Sequence, residues 1–212
     1  MESFPNAKGS PVVQRVISAV RDNAAVLSEI DGAIGDGDHG INMSKGFGMA
    51  AERLADSSSS LSEGCAEIGT VLLSEIGGAM GPLYGAFFRS MARESRGAGD
   101  IDARLFEAMM KKAMEGVVSV GGARVGDKTM LDTLAPAVEA FSTSRGNGLG
   151  FADALRAMMK AAEEGKDSTR DMVSRLGRSS RLGERSRGTL DAGAVSCWVI
   201  LAAMGQSIID LL

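Results

Sequence analysis

Apolar positions recur along this chain at three- and four-residue intervals, in blocks separated by glycine pairs or polar runs, and each block reads as one face of a helix. Val13, Val16, Ile17, Val20 and Leu27 predict a first helix from Ser10, as N-cap before Pro11, to about Ile30. A second runs from about Asp38 to Ala55, and the serines from 57 to 60 form a surface linker. Cys65, Ile68, Val71, Leu72 and Ile76 mark a third, from Leu61 to the stop at Gly77-Gly78. A fourth opens at Pro82, and a fifth spans about Asp102 to Val120 with Leu105, Met109, Ala113 and Val117 inward. Gly121-Gly122 ends it. The next starts at Gly126 to Thr129, with Asp127 as cap and Lys128 reaching toward solvent. After a turn at Asn147-Gly148 a seventh covers about Phe151 to Glu164, followed by a helical stretch from Ser168 to Leu176. The last, from about Ala192 to Leu211, is apolar nearly all round and belongs deep in the molecule. No segment alternates convincingly as a strand. The expectation is an all-α, single-domain antiparallel bundle or barrel of about eight helices covering residues 1–212.

Composition narrows the function classes. With 23 basic against 27 acidic residues the net charge is -4, which disfavours a general polyanion binder such as a nucleic-acid protein. Cys65 and Cys197 lie far apart in helical contexts and match no zinc or CxxC spacing, so they read as reduced core cysteines of a cytoplasmic protein. The polar start MESFPNAKGS lacks the apolar run of a signal peptide. The most apolar stretch, Ala192 to Met204, is too short to span a membrane and contains Ser196.

The stretch DGAIGDGDHGINMSKG, from Asp31 to Gly46, changes the picture most. Asp31, Asp36 and Asp38 place three carboxylates within eight residues, followed by His39, the only histidine. Such density of like charge is repulsive unless a cation sits among the groups or water screens them. Three aspartates suit Mg²⁺, which prefers hard oxygen ligands and shares its coordination with phosphates and water. The helix that starts near Asp38 adds free N–H groups and a positive dipole end. The same residues also fit a plainer reading, with Asp38 an N-cap and the other two aspartates solvated in a glycine-rich turn. An EF-hand is excluded, because the position that would carry the bidentate glutamate is Phe47.

Two further stretches bear on anions. Gly77-Gly78-Ala79-Met80-Gly81-Pro82 frees several backbone N–H groups at a helix start, although glycines before proline are more often just a loop. The segment from Arg175 to Arg187 holds arginines at 175, 178, 181, 185 and 187. Arginine offers planar multidentate donors to phosphate, while an arginine-rich run with only Leu176 and Leu182 to dock it also fits a solvated loop.

DGAIGDGDHGINMSKGF resembles the signature of the L subunit of dihydroxyacetone kinases. GGAMGPLYGAFF (77–88), GDKTMLDTLAPAVEAF (126–141) and GRSSRLGERSRGTLDAGAVS (177–196) resemble that family's further motifs, in its order and over nearly the whole chain. The resemblance implies a closed barrel of eight helices with a nucleotide at the end where glycine turns and carboxylates gather. It implies that Asp31, Asp36 and Asp38 hold two Mg²⁺ ions against the phosphates of ADP or ATP. His39, Gly40, Ile41, Asn42, Ala79 and Met80 are then expected at the nucleotide, with Gly121 and Met130 near adenine and sugar. Arg178, Leu190, Asp191 and Ala192 complete the expected contacts, and Lys128 faces the site. Two departures stand out: Met80 replaces a usual small hydroxyl residue, and Ala192 a frequent proline.

The activity so implied is phosphoryl transfer to dihydroxyacetone held on a separate K subunit, with no catalytic side chain demanded of this one. The nucleotide serves either as exchanged ATP or, the favoured expectation, as fixed ADP rephosphorylated by a phosphotransferase-system M subunit. A kinase for a related ketose, or a nucleotide-sensing regulatory protein without chemistry, are the alternatives.

Overall fold

A computed structural model describes residues 2–55 and 59–212. Among the described residues there are nine α-helices: α1 (Ser10–Asp22), α2 (Ala24–Ile34), α3 (His39–Leu54), α4 (Leu61–Glu75), α5 (Met80–Glu94), α6 (Ala103–Gly121), α7 (Leu131–Gly146), α8 (Phe151–Ser168) and α9 (Ala192–Ile209). Eight of them close a ring in which α1 packs on α3, each helix from α3 to α9 packs on the next, and α9 returns to α1. The expected all-α antiparallel barrel of eight helices is therefore borne out, with neighbours alternating in direction as short connections require. The extra helix, α2, lies outside the ring against α3 and α9.

That extra helix arises because the single helix expected from Ser10 to Ile30 is broken at Asn23. The Asn23 side chain donates to Ala19 O at 2.8 Å, competing for the carbonyls that would continue the helix. The chain restarts at Ala24 and runs to Ile34, which carries Asp31 inside a helix rather than in a turn. Other boundaries moved too. The N-cap of α1 is Gly9, not Ser10, and α5 begins at Met80 rather than Pro82. The helical stretch expected from Ser168 to Leu176 shrinks to one 3-10 turn, Thr169–Asp171. Of the serine linker, Ser57 and Ser58 lie outside the described residues. Ser60 is no mere linker: it closes a reciprocal capping box with Glu63 at the start of α4.

Apolar faces of the ring helices fill the barrel. Phe47, Phe87 and Phe88 meet edge to face at 5.1 and 5.7 Å, and Phe106, Phe141 and Phe151 form a second cluster at 5.3 to 6.0 Å. Helix α9 is long and apolar enough to cross a membrane, yet 72% of it is buried in the barrel. Both cysteines are buried, and burial pushes their thiols up.

A small sheet seals the end of the barrel remote from the acidic motif. β1 (Ser3–Pro5) pairs antiparallel with β2 (Asp100–Asp102), setting Phe4 opposite Ile101, both buried. Three-residue strands are too short for alternation to show, so the sequence had suggested none. Asn6 donates to Ala98 O and accepts from Ser62 N, and Glu2 caps α8 by accepting from Phe151 N at 2.5 Å and Ala152 N at 3.2 Å.

Candidate nucleotide and metal site

Alternation around the ring brings the N-termini of α3, α5, α7 and α9 to one end, together with the C-terminal ends of α2, α4 and α6. A cleft of about 760 Å³ opens there. Its floor is set by four helix starts, each a positive dipole end that favours anions, although the first N–H groups of α7 are already taken by Thr129 and Met130.

The acidic motif stands at its mouth. Asp31 comes from the last turns of α2, and the chain then turns through Gly35 to Asp38 before α3. Gly37 takes φ +77°, a conformation that glycine adopts without cost, and Asp36 and Asp38 flank it. Asp38 occupies the N-cap position of α3, but its side chain makes no capping hydrogen bond. The plain capping reading is thereby overturned, and the carboxylate is left for other partners. One oxygen from each of Asp31, Asp36 and Asp38 lies within 4.8 Å of the others. Arg178 meets this trio, pairing with Asp36 and lying 3.7 Å from Asp38. A guanidinium resting between two carboxylates marks where positive charge is wanted, and three hard oxygen donors fit Mg²⁺.

Behind the carboxylates runs a buried polar chain. The His39 N–H faces Asp31 Oδ2 at 3.4 Å, His39 Nε2 and Ser196 Oγ are hydrogen-bonded at 2.8 Å, and Ser196 Oγ meets Tyr84 OH at 2.6 Å. Tyr84 OH also donates to Gly193 O. Burial lowers the imidazole to about 4 although Asp31 pulls it back, so at neutral pH the ring is uncharged and serves to position. Asp191 caps α9 by accepting from Ala194 N at 2.8 Å. Burial raises its carboxyl to about 7, against the lowering effect of the Ala194 N–H.

Of the residues singled out in the sequence, Asp31, Asp36, Asp38, His39, Asn42, Ala79, Met80, Gly121, Met130, Arg178, Asp191 and Ala192 all line this cleft. Three do not. Ile41 is 65% exposed on the outer face of α3, and Leu190 is half-buried outside the lining. Gly40 sits at the crossing with α2, where a Cβ would come 1.8 Å from Ala24 O. The arginine segment forms 3-10 turns over Arg178–Ser186 with a kink at Gly183, and it is not a bare solvated loop: Ser174 N donates to Ser186 Oγ.

Lys128 corrects the expectation most sharply. It does not reach solvent but is 1% exposed, and residues 126–130 form a turn before α7 rather than its first turn. Asp127 does not cap α7 either. It accepts from Arg124 N, while Asp132 accepts from Gly126 N and Thr129 N. The Ser196–Tyr84 partnership was missed altogether, since residues 112 positions apart carry no local signal of contact.

With this geometry in hand, comparison with known proteins is informative. The family model of the DAK2 domain matches residues 33–206. The chain is 40% identical over 171 residues to the "PEP-dependent dihydroxyacetone kinase, ADP-binding subunit DhaL" of Escherichia coli (strain K12), covering 80% of this chain and 81% of that one. It is 34% identical over 213 residues to the D-erythrulose kinase of Mycolicibacterium smegmatis, covering 95% of this chain and 35% of that one. Among solved structures it superposes on the dihydroxyacetone kinase from C. freundii in complex with AMP-PNP and Mg²⁺, with a TM-score of 0.71 at 25% identity. That match covers 98% of this chain and 35% of the other. Against both longer proteins this chain spans about a third of their length.

Proposed function

Since the chain belongs to the DAK2 domain family, we propose that it is the nucleotide-binding subunit of a dihydroxyacetone kinase, holding ADP or ATP with Mg²⁺ for phosphoryl transfer to dihydroxyacetone on a separate K subunit. The observation that carries this reading is the meeting of Asp31, Asp36 and Asp38 at the mouth of a cleft floored by four helix N-termini. Relatives named as ADP-binding subunits match over four fifths or more of their length, which favours ADP as a resident cofactor recharged by a phosphotransferase-system M subunit. The similarity to erythrulose kinases supports a related ketose as the alternative acceptor.

In this reading the three aspartates hold two Mg²⁺ ions, which supply neutralisation of the negative charge on the phosphoryl group in transit. The chain's own residues then have distinct tasks. The Gly77–Met80 turn and the start of α9 at Ala192 and Gly193 offer main-chain N–H groups to phosphate oxygens, the Asp191 N–H being taken by Thr169 Oγ1. Met80 adds no hydroxyl donor, so this contact is left to the backbone. Met130, Gly121 and Val117 wall the apolar side of the cleft, where a base and sugar fit. Arg178 is at present the counter-charge of Asp36 and Asp38. Once another cation neutralises them, its guanidinium is free to take phosphate oxygens bidentately.

Calorimetric titration with ADP tests the binding half of the proposal. The parent should bind ADP only with Mg²⁺, and Asp36→Asn or Asp38→Asn should weaken binding by about a hundredfold or more while the helical circular dichroism is unchanged. Binding that is equal in EDTA would sink it. Mixing the chain with a K subunit, dihydroxyacetone and either ATP or a phosphorylated carrier protein tests the chemistry. No product with any donor would leave a nucleotide sensor, and ADP retained through purification would identify the resident-cofactor mode.

A further inference from the structure

We infer that Lys128 is the positioning residue of this site, an ammonium clasp that holds the arginine-bearing segment over the cleft by gathering main-chain carbonyls from both of its ends. Lys128 is 1% exposed and is the only non-glycine residue with positive φ, at +62°, among the described residues. Left-handed backbone is unfavourable for a lysine and persists only where the surroundings hold it. They do so through its Nζ, which donates to Thr189 O at 2.6 Å, to Met172 O at 3.3 Å and to Ser186 O. Met172 precedes the arginine segment, whereas Ser186 and Thr189 end it, so one ammonium ties the entry of the segment to its exit. Arg178 lies between the tied ends, against Asp36. Three carbonyl oxygens converge on one point, that of Ser186 buried and those of Met172 and Thr189 part-buried; left unpaired they carry a penalty, and a cation with three donors is the group that satisfies them together. The turn that presents Lys128 is itself braced, since Asp127 O accepts from Arg175 N at 3.0 Å and Asp132 accepts from Thr129 N at 2.7 Å. Lys128 lines the cleft wall, as expected of a residue facing the site, but its three ammonium donors all go to main-chain carbonyls. The residue acts through the placement of Arg178, and this role rests on the nucleotide reading above.

Lys128→Gly separates the ammonium from the backbone, because glycine tolerates positive φ and its loss of order is then due to the missing charge. Limited trypsin digestion of the metal-free protein should cut within residues 175–187 about tenfold faster in Lys128→Gly than in the parent, and the Kd for Mg²⁺–ADP should rise by about tenfold or more. Methylammonium or ethylammonium, small enough to refill the carbonyl cage, should restore both quantities, whereas tetramethylammonium, with no N–H, should restore neither. A purely space-filling role would show no such selectivity. Lys128→Met, which keeps most of the stem and lacks the charge, is run beside it. Parent-like cleavage and affinity in either variant, or equal rescue by tetramethylammonium, overturns the clasp. If the parent itself fails to bind Mg²⁺–ADP, the nucleotide reading falls, while the trypsin arm still decides the clasp.

Discussion

His39 and Asp191 titrate in opposite senses, and together they hide a pH dependence that either one alone would show. Folding lowers His39 from 6.5 to about 4, chiefly by burial. Between those values the unfolded chain binds a proton that the folded one refuses, so metal-free stability falls as pH drops from 6.5 toward 4. Folding raises Asp191 from 3.8 to about 7, again chiefly by burial. Here the folded chain keeps a proton that the unfolded one releases, so stability falls as pH rises from 3.8 toward 7. Over its full range each effect is worth about 3 to 4 kcal/mol, and across pH 4.5 to 6.5 they offset each other. In EDTA, His39→Gln should therefore lose stability as pH rises over that window and Asp191→Asn should lose it as pH falls. Urea midpoints measured at the two ends check this, and a pH profile identical to the parent's in both variants would refute it.

Between elements, the crossing of α2 and α3 decides whether the aspartates meet. A Cβ at Gly40 would lie 1.8 Å from Ala24 O and 2.6 Å from Ser28 Oγ, so α3 could not keep its distance from α2. Gly40→Ala should cost about 1–3 kcal/mol by overpacking and should also weaken Mg²⁺ binding, because it separates Asp38 from Asp31. Ser60→Ala is the matched control: loss of the capping box at the start of α4 should cost about 1 kcal/mol and leave Mg²⁺–ADP binding untouched. Thermal unfolding paired with calorimetry compares the two. Equal effects on binding would show that the crossing has no special hold on the site.

At the scale of the molecule, one end of the barrel is closed by the small sheet and the caps around Asn6 and Glu2, and the other carries the cleft. Mg²⁺ and nucleotide that bind only the folded cleft should raise stability by about 3 to 4 kcal/mol at 100 to 1,000 times their dissociation constants. They should also slow trypsin cleavage in the arginine segment, since Arg178 gains phosphate as a second anchor. Cleavage at one rate in EDTA, in Mg²⁺ and in Mg²⁺ with ADP would remove the segment from the site. Elsewhere the ring depends on Glu107, which joins α6 to α7 through Arg145 and bonds Lys111 at 2.6 Å. Burial opposes its ionisation, but hydrogen bonds from Lys111 and Arg145 win and hold it at about 2. This contribution is present above pH 4.5 and is lost as pH falls toward 2, so Glu107→Gln should flatten the acid limb of the stability curve.

Helix spacing, glycine stops and the ordered motifs were enough to read the eight-helix barrel, the acidic cluster and the family from the sequence, because periodicity and short motifs are local properties of the chain. Where local signals competed, tertiary structure decided. Asn23 broke a continuous apolar pattern with one side-chain hydrogen bond, and three-residue strands formed only because Phe4 and Ile101 are buried together. Lys128 read as a solvent-reaching lysine because nothing nearby in sequence reveals carbonyls arriving from residues 172, 186 and 189. The His39–Ser196–Tyr84 chain is likewise invisible until the ring brings the starts of α3, α5 and α9 to one end, where these side chains meet. The sequence by itself determined which groups the protein has for metal and phosphate. Only the closed barrel decided which of them face one another, since that depends on contacts between residues far apart in the chain.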